Sequence, residues 1–148
     1  MTTRGFVLDT NVVSETKRAR PDPRVQDWFQ RQEPEALYLA ATSICELAEG
    51  VERMSPGRRR REMEAWLDHL VEHDFRGRIL VLDAAAARLF GRLTAAAWAQ
   101  ERPPHMADAQ IAAVAARDGF TVATRNLAHF TAFGVPLVDP WSAGGRGH

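Results

Sequence analysis

Cysteine is almost absent from this chain, and long apolar runs are absent altogether. The single cysteine, Cys45, cannot form an internal disulfide. It lies beside Ile44 and Leu47, which predicts a small buried side chain and not a nucleophile. No apolar run approaches the length that spans a membrane, and the first residues lack the pattern of a secretory signal. We therefore expect a cytoplasmic protein with no membrane partner.

An excess of charge of either sign is missing too. Lys+Arg and Asp+Glu both number 19, which gives a formal net charge of +0 at pH 7. Proteins that bind nucleic acid by long-range attraction are usually basic, so any RNA contact here must depend on a local patch. The run Arg58-Arg59-Arg60-Arg61 is one candidate for such a patch, and a solvated charge run is the alternative.

The composition is that of an ordinary globular protein, with 148 residues, 45% hydrophobic and 26% charged. This length predicts one domain, over residues 1–141, that is large enough to bury a core. The Gly-rich residues 142–148 predict a flexible C-terminal tail.

Short apolar runs alternate with amphipathic segments along the whole chain. The runs predicted as strands are Phe6–Leu8, Leu37–Ala41, Ile79–Leu82, Thr121–Thr124 and Val135–Val138. The segments between them have the three- and four-residue spacing of helices, with breaks at prolines and glycines. This alternation predicts an α/β fold, a three-layer α/β/α sandwich with a mainly parallel sheet of four or five short strands.

Four side chains with oxygen ligands adjoin these predicted strands. Asp9 follows the first strand, and Glu46 lies one turn into the helix after the second. Asp108 opens the helix that leads into the fourth strand, and Asn126 follows that strand. Because ligands bind at the carboxyl ends of parallel strands, all four can reach one end of the sheet.

Each acid also has a purely local interpretation. Asp9 at a strand-to-helix junction can cap the next helix, and Asp108 can do the same in its first turn. Ser43 followed by Glu46 matches a capping box. The sequence leaves these interpretations open beside the shared site. The pair His69 and His73 has no evident third ligand and is interpreted as surface residues.

Carboxylates that converge without a cation repel one another, and a hard divalent cation such as Mg²⁺ or Mn²⁺ removes that repulsion. Such an ion suits phosphodiester hydrolysis, because it activates water and neutralises charge on the phosphate. The sequence has no Gly-rich phosphate loop and no clear Ser–His or Cys–His pairing.

Several motifs together resemble the PIN-domain ribonucleases, in particular the VapC-type toxins of bacterial toxin–antitoxin pairs. The matching stretches are, in the family's order, Val7-Leu8-Asp9-Thr10-Asn11-Val12-Val13-Ser14-Glu15, Glu46-Leu47-Ala48-Glu49-Gly50, Ala107-Asp108-Ala109-Gln110-Ile111-Ala112-Ala113, and Thr124-Arg125-Asn126 with Phe130. They span nearly the whole chain.

The resemblance implies that Asp9 and Asp108 ligate Mg²⁺, for which Mn²⁺ can substitute. Glu46 would complete the acidic trio as a ligand or by holding the attacking water. Asn11 and Thr124 would fix the acids by hydrogen bonds. The family's fourth position, often Asp, is Asn126 here, which brings no charge and so weakens a second metal site.

The implied reaction is endonucleolytic cleavage of RNA by a metal-activated water, which leaves a 5′-phosphate and a 3′-hydroxyl. The implied partners are the RNA substrate, a second copy of the toxin in a homodimer, and a cognate VapB-type antitoxin in a hetero-oligomer. The antitoxin would insert a peptide into the acidic pocket. Arg125 is a candidate contact for the RNA backbone.

Two other functions stay open at this point. An aspartyl-nucleophile phosphohydrolase also places Asp after its first strand, but it requires a second Asp where this chain has Asn11 and a lysine signature where Lys17 is the only lysine. A non-catalytic RNA- or protein-binding module with a degenerate site is the other, and Asn126 leaves room for it.

Overall fold

One sheet of five strands forms the centre of the protein. The structure, a computed structural model, describes residues 4–142. The strands are β1 (Phe6–Leu8), β2 (Leu37–Ala40), β3 (Ile79–Leu80), β4 (Thr121–Ala123) and β5 (Leu137–Val138). They lie in the order β3-β2-β1-β4-β5, and every neighbouring pair is parallel. The predicted parallel sheet is confirmed, and residues 143–148 of the predicted tail lie outside the described residues.

Seven α-helices connect and cover the strands in the described part of the chain. They are α1 (Thr10–Glu15), α2 (Pro23–Gln30), α3 (Ala41–Glu52), α4 (Arg58–His69), α5 (Ala84–Ala99), α6 (Met106–Asp118) and α7 (Leu127–Phe130). Helix α4 continues directly into a π-helical turn, Leu70–Asp74. None of the helices within residues 4–142 is both long and apolar enough to cross a bilayer.

The two faces of the sheet carry separate apolar cores, which gives the three layers. Successive strand residues point to opposite faces, so Val7 and Leu8 of β1, both 0% exposed, belong to different cores. The first core includes residues of α5 and α6, among them Ala86, Ala97, Ala109, Ile111, Ala112, Val114 and Ala115. The second includes residues of α1, α2 and α3, among them Val12, Val13, Val25, Trp28 and Leu47.

Local capping interactions set several helix boundaries. Asp9 caps α1 by accepting a hydrogen bond from Thr10 N, and Asp83 caps α5 by accepting one from Ala86 N. Helix α6 ends at Gly119, whose φ of 73° is in the left-handed region that glycine adopts without strain.

The two edge strands are shorter than predicted. Strand β3 ends at Leu80, because Val81 and Leu82 leave the sheet and are 57% and 40% exposed. Strand β5 comprises only Leu137–Val138. An edge strand has one neighbour, so fewer ladder hydrogen bonds hold its ends than hold those of a central strand.

Two predictions about α3 are wrong. The helix begins at Ala41, so Ser43 and Glu46 lie inside it and form no capping box. Its buried stripe is Ser43, Leu47 and Val51, spaced four residues apart. Cys45 lies two residues from this stripe, about 200° around a helix of 3.6 residues per turn, and is exposed where burial was predicted.

Two arginines of the run at the start of α4, Arg58 and Arg60, are ion-paired. Arg58 pairs with Glu62 at 2.9 Å, and Arg60 pairs with Glu64 at 3.1 Å and with Glu52 of α3 at 2.9 Å. For these two arginines, the contacts favour the surface interpretation over a patch free to bind phosphate.

Candidate active site

Asp9 is the buried acid at the carboxyl end of the central strand, and it is 3% exposed. Its Oδ1 accepts a hydrogen bond from Thr10 N at 2.8 Å. Its Oδ2 accepts bonds from Thr124 Oγ1 at 2.7 Å and from Asn11 Nδ2 at 3.3 Å. Thr124 follows β4, the neighbour of β1, so two adjacent strand ends fix one carboxylate.

Glu46 reaches the same place from α3, although it lies far from Asp9 in the chain. Its Oε1 accepts a hydrogen bond from Thr10 Oγ1 at 2.6 Å, so the residue after Asp9 fixes the second acid. Thr42, one turn earlier in α3, donates to Gln110 of α6 at 2.9 Å. The first half of the polar face of α3 therefore borders the cleft between α1 and α6.

Asp108 lies in the first turn of α6, but it does not cap that helix, whose N-cap is His105. Its Oδ2 lies 3.0 Å from His129 Nδ1 of α7. The rings of His105 and His129 stack, with centroids 4.0 Å apart and an interplanar angle of 17°. The nearest candidate ligand atoms of His105, Asp108 and His129 all lie within 4.8 Å of one another.

The three acids interact electrostatically. Burial raises the pKa of the Asp9 carboxyl, the hydrogen bond from Thr124 opposes this rise, and the charge of Asp108 adds to it. Burial likewise raises the pKa of Asp108, the hydrogen bond from His129 opposes it, and the charge of Glu46 adds to it. The charge of Asp108 thus makes ionisation of Asp9 harder, and the charge of Glu46 does the same for Asp108.

Asn126 lies next to this cluster through its backbone. Its N–H donates to Thr124 Oγ1 at 2.9 Å, while its side chain makes no hydrogen bond within residues 4–142. Arg125 donates its backbone N–H to Asn11 Oδ1 at 3.3 Å, and its guanidinium lies 5.1 Å from the centre of the Trp141 ring. The backbone of Arg125 is therefore joined to a partner of Asp9, while its exposed side chain lies over Trp141.

The sequence analysis missed His105 and His129. Their spacing from two predicted site residues could have indicated that they belong to the site. His105 precedes Asp108 by three residues, and His129 follows Asn126 by three. That spacing places two side chains on the same side of a helical turn. Without the packing of α7 against α6, however, nothing in the sequence joins His129 to Asp108.

The arrangement has the ligand chemistry of a divalent cation site. Converging carboxylate oxygens suit Mg²⁺ or Mn²⁺, and imidazole nitrogens are ligands of transition metals. No described residue donates a hydrogen bond to Asp108 Oδ1, which leaves that oxygen available within the cleft.

A family model described as "PIN domain" matches residues 6–133. The chain belongs to the PIN-domain family. The match includes the first four strands and the seven described helices, and the motifs quoted for the resemblance all lie within it.

Relatives of this PIN domain agree in length as well as in sequence. A protein named VapC ribonuclease Y4jK, from Sinorhizobium fredii, is 40% identical over 136 residues, which are 92% of this chain and 97% of that protein. Toxin FitB from Neisseria gonorrhoeae is 34% identical over 136 residues, 92% of this chain and 98% of that protein. The crystal structure of FitAcB from Neisseria gonorrhoeae superposes with a TM-score of 0.83 and 33% identity, covering 93% of this chain and 99% of that one.

Proposed function

We propose that this PIN domain is a metal-dependent endoribonuclease that acts as the toxin of a toxin–antitoxin pair. The observation that carries the proposal is the convergence of Asp9, Glu46 and Asp108, from three separate elements, at the carboxyl end of the sheet. The likeness to a protein named VapC ribonuclease and to one named toxin FitB supports the same conclusion.

The residues present fit a Mg²⁺ ion, with Mn²⁺ as a substitute. Asp9 and Asp108 would hold it, since burial raises the pKa of both carboxyls and a neighbouring acid, Asp108 for Asp9 and Glu46 for Asp108, raises it further, which a cation relieves. When bound, the ion supplies charge neutralisation on the scissile phosphate and activation of a water molecule. The neutral amide of Asn126 would make a second ion bind more weakly.

The protein side chains have distinct tasks in this proposal. Thr124, Asn11 and the N–H of Thr10 hold Asp9 in one orientation, which preorganises the site. Glu46, fixed by the Thr10 hydroxyl, completes the trio as a further ligand or by orienting the attacking water. Because water attacks, the 2′-hydroxyl of RNA is not needed as a nucleophile, and the products carry a 5′-phosphate and a 3′-hydroxyl.

Arg125 is the proposed contact to the RNA backbone. It is exposed, lies next to Asn126 in the chain, and is positioned by stacking on Trp141. The arginines at the start of α4 are less suited to this task, because Arg58 and Arg60 already pair with glutamates.

We further infer two protein partners. A cognate VapB-type antitoxin would enter the acidic cleft, where a basic side chain complements the three carboxylates. A homodimer is the expected state of the toxin itself. Trp98 and Met106, 61% and 53% exposed on either side of the connection between α5 and α6, offer apolar surface for such contacts.

The experiment is cleavage of RNA by the purified protein in Mg²⁺, by the same protein in EDTA, and by Asp9→Asn. We expect EDTA to abolish cleavage and Asp9→Asn to slow it by at least about 100-fold, the scale on which loss of a preorganised electrostatic group acts. The control is Asp27→Asn, which removes an exposed acid of α2 whose partner is Arg31, and it should cleave like the wild type.

Cleavage by Asp9→Asn at the wild-type rate would contradict the proposal. RNA binding without cleavage by the wild type would instead favour the non-catalytic module. Sequencing the cleaved ends also tests the chemistry, because 2′,3′-cyclic phosphate ends would rule out attack by water.

A further inference from the structure

The end of α4 and the π-helical turn that follows it carry a second group of potential metal ligands, His69, His73 and Asp74. His69 Nε2 lies 3.3 Å and His73 Nδ1 lies 3.2 Å from Asp74 Oδ1. The two imidazole rings stack, with centroids 4.4 Å apart and an interplanar angle of 17°. The three ligand atoms all lie within 4.8 Å of one another.

Local backbone geometry brings these three residues together. His69 and His73 are four residues apart, so both project from the same side of the helix. Asp74 follows His69 by five residues. The π-helical turn Leu70–Asp74 has more residues per turn than an α-helix, so it brings Asp74 back to the side of the helix that carries His69. The sequence analysis found the two histidines but missed this third ligand, because a helix of 3.6 residues per turn turns a residue five positions later away from the first.

This group lies at the other end of the sheet from the acidic cleft. Arg78, the residue before β3, donates hydrogen bonds to the carbonyl of Asp74 and to that of Leu37 at the start of β2. Asp74 therefore lies beside the amino ends of two parallel strands. Asp9, in contrast, follows the carboxyl end of β1.

The distances suit a small transition-metal ion. Zn²⁺–nitrogen bonds of about 2.0–2.1 Å place neighbouring ligands of a tetrahedron about 3.4 Å apart. Both nitrogen–oxygen distances are close to this length, and binding requires the two imidazole rings, which stack at 17°, to turn so that both nitrogens point at the ion. The fourth position is open to water, since the His69, His73 and Asp74 side chains are 60%, 75% and 42% exposed.

The ligand types also separate this group from the magnesium site proposed for the acids. Imidazole nitrogens favour Zn²⁺, Co²⁺, Ni²⁺ and Cu²⁺, whereas Mg²⁺ prefers oxygen ligands. A cation is also favourable here because the carbonyl groups at a helix C-terminus carry partial negative charge.

We propose that His69, His73 and Asp74 form a binding site for a divalent transition-metal ion of the Zn²⁺ class. The ion joins the last turn of α4 to the π-helical turn that leads into β3. It therefore stabilises the fold at the amino end of the sheet, independently of RNA cleavage.

The test is calorimetric titration of untagged protein with Zn²⁺. The starting variant is His105→Ala/His129→Ala/His148→Ala, which retains only His69 and His73 of the 5 histidines. We expect His69→Ala, His73→Ala and Asp74→Asn each to lower its association constant for Zn²⁺ at least about tenfold. Glu72→Gln is the matched control, because it removes a neighbouring charge of the same turn outside the three ligands, and it should change the constant less than twofold.

A second measurement identifies the ligands directly. Co²⁺, which takes the same ligands as Zn²⁺ and is paramagnetic, should broaden the imidazole NMR signals of His69 and His73 at one equivalent in the same starting variant. An unchanged association constant in His69→Ala, or equal losses in Asp74→Asn and Glu72→Gln, would overturn the proposal. So would Co²⁺ that leaves both imidazole signals sharp.

Discussion

At the scale of single residues, Asp9 combines two roles that the sequence presented as alternatives. Its Oδ1 caps α1, and its Oδ2 accepts the hydrogen bonds from Thr124 and Asn11. A carboxylate has about four lone-pair positions, so these bonds leave capacity for a metal ion. The cap and the candidate site are therefore one structure, and the cap fixes the orientation of the Asp9 carboxylate.

Thr124 provides the residue-scale prediction. Thr124→Val keeps the shape of the side chain but removes the hydroxyl that donates to Asp9 and accepts from Asn126 N. We expect the free energy of unfolding to fall by about 1–3 kcal/mol, because buried partners lose hydrogen bonds. RNA cleavage should also fall, because the ionised form of Asp9 loses a donor that stabilises it.

The matched control is Thr121→Val. Thr121 lies on β4 and is buried as well, but its hydroxyl makes no hydrogen bond within residues 4–142. Urea unfolding at one pH compares the two variants. Equal stability losses would show that the hydroxyl of Thr124 has no special part in holding Asp9.

At the scale of elements, close packing of the backbone limits the size of the residue before β1, which is Gly5. Gly5 lies against the backbone near β2, and a Cβ placed on Gly5 would be 2.6 Å from the carbonyl oxygen of Ala36. The contact is with backbone, which cannot swing away as a side chain can. Glycine at this position therefore lets β1 lie directly beside β2.

Two glycine substitutions make the element-scale prediction. Gly5→Ala should lower the free energy of unfolding by about 1–3 kcal/mol, because the new methyl group overlaps the Ala36 carbonyl. Gly91→Ala, within α5 and with no atom within 4 Å of the added Cβ, should raise it by about 0.5–1 kcal/mol. Thermal unfolding of both variants measures the difference, and a neutral Gly5→Ala would contradict the close approach.

At the scale of the whole molecule, a chain without net charge concentrates negative charge in one place. The formal net charge is +0, yet Asp9, Glu46 and Asp108 lie together at one end of the sheet, where the charge of Asp108 raises the pKa of Asp9 and that of Glu46 raises the pKa of Asp108. Folding brings these acids together, so part of the stability of the fold is lost to their repulsion when no cation is bound. Metal binding should therefore be visible in global stability.

Asp108→Asn makes the whole-molecule prediction. The pKa of Asp108 is raised in the folded state, so its contribution favours folding below the ordinary pKa and is lost as pH rises through the raised pKa. At neutral pH and without metal, the variant should be as stable as the wild type or more stable. With Mg²⁺ at 100 times its Kd, the wild type should gain about 2.7 kcal/mol and the variant much less.

Melting temperatures in EDTA and in Mg²⁺ measure this prediction. A wild type and an Asp108→Asn variant with the same Mg²⁺-induced rise in Tm would exclude Asp108 as a ligand. The group at the end of α4 does not disturb the comparison, because imidazole ligands discriminate against Mg²⁺.

The sequence by itself determined the features that depend on neighbouring residues. Alternating strand and helix patterns predicted the layered parallel fold, and Asp83 and Gly119 marked helix boundaries through their own side-chain or backbone chemistry. The position of Asp9 directly after a buried strand was readable for the same reason. These signals act within a few residues, so they do not require the packed structure.

Only the tertiary structure decided which faces meet. Helical periodicity gave α3 a polar face, but only packing against α1 joined Glu46 to Thr10, and only the docking of α7 joined His129 to Asp108. Cys45 is exposed because no other described element packs against its side of α3, and its sequence neighbours do not determine that packing. Contacts between residues far apart in the chain depend on how the elements pack, which no local pattern specifies.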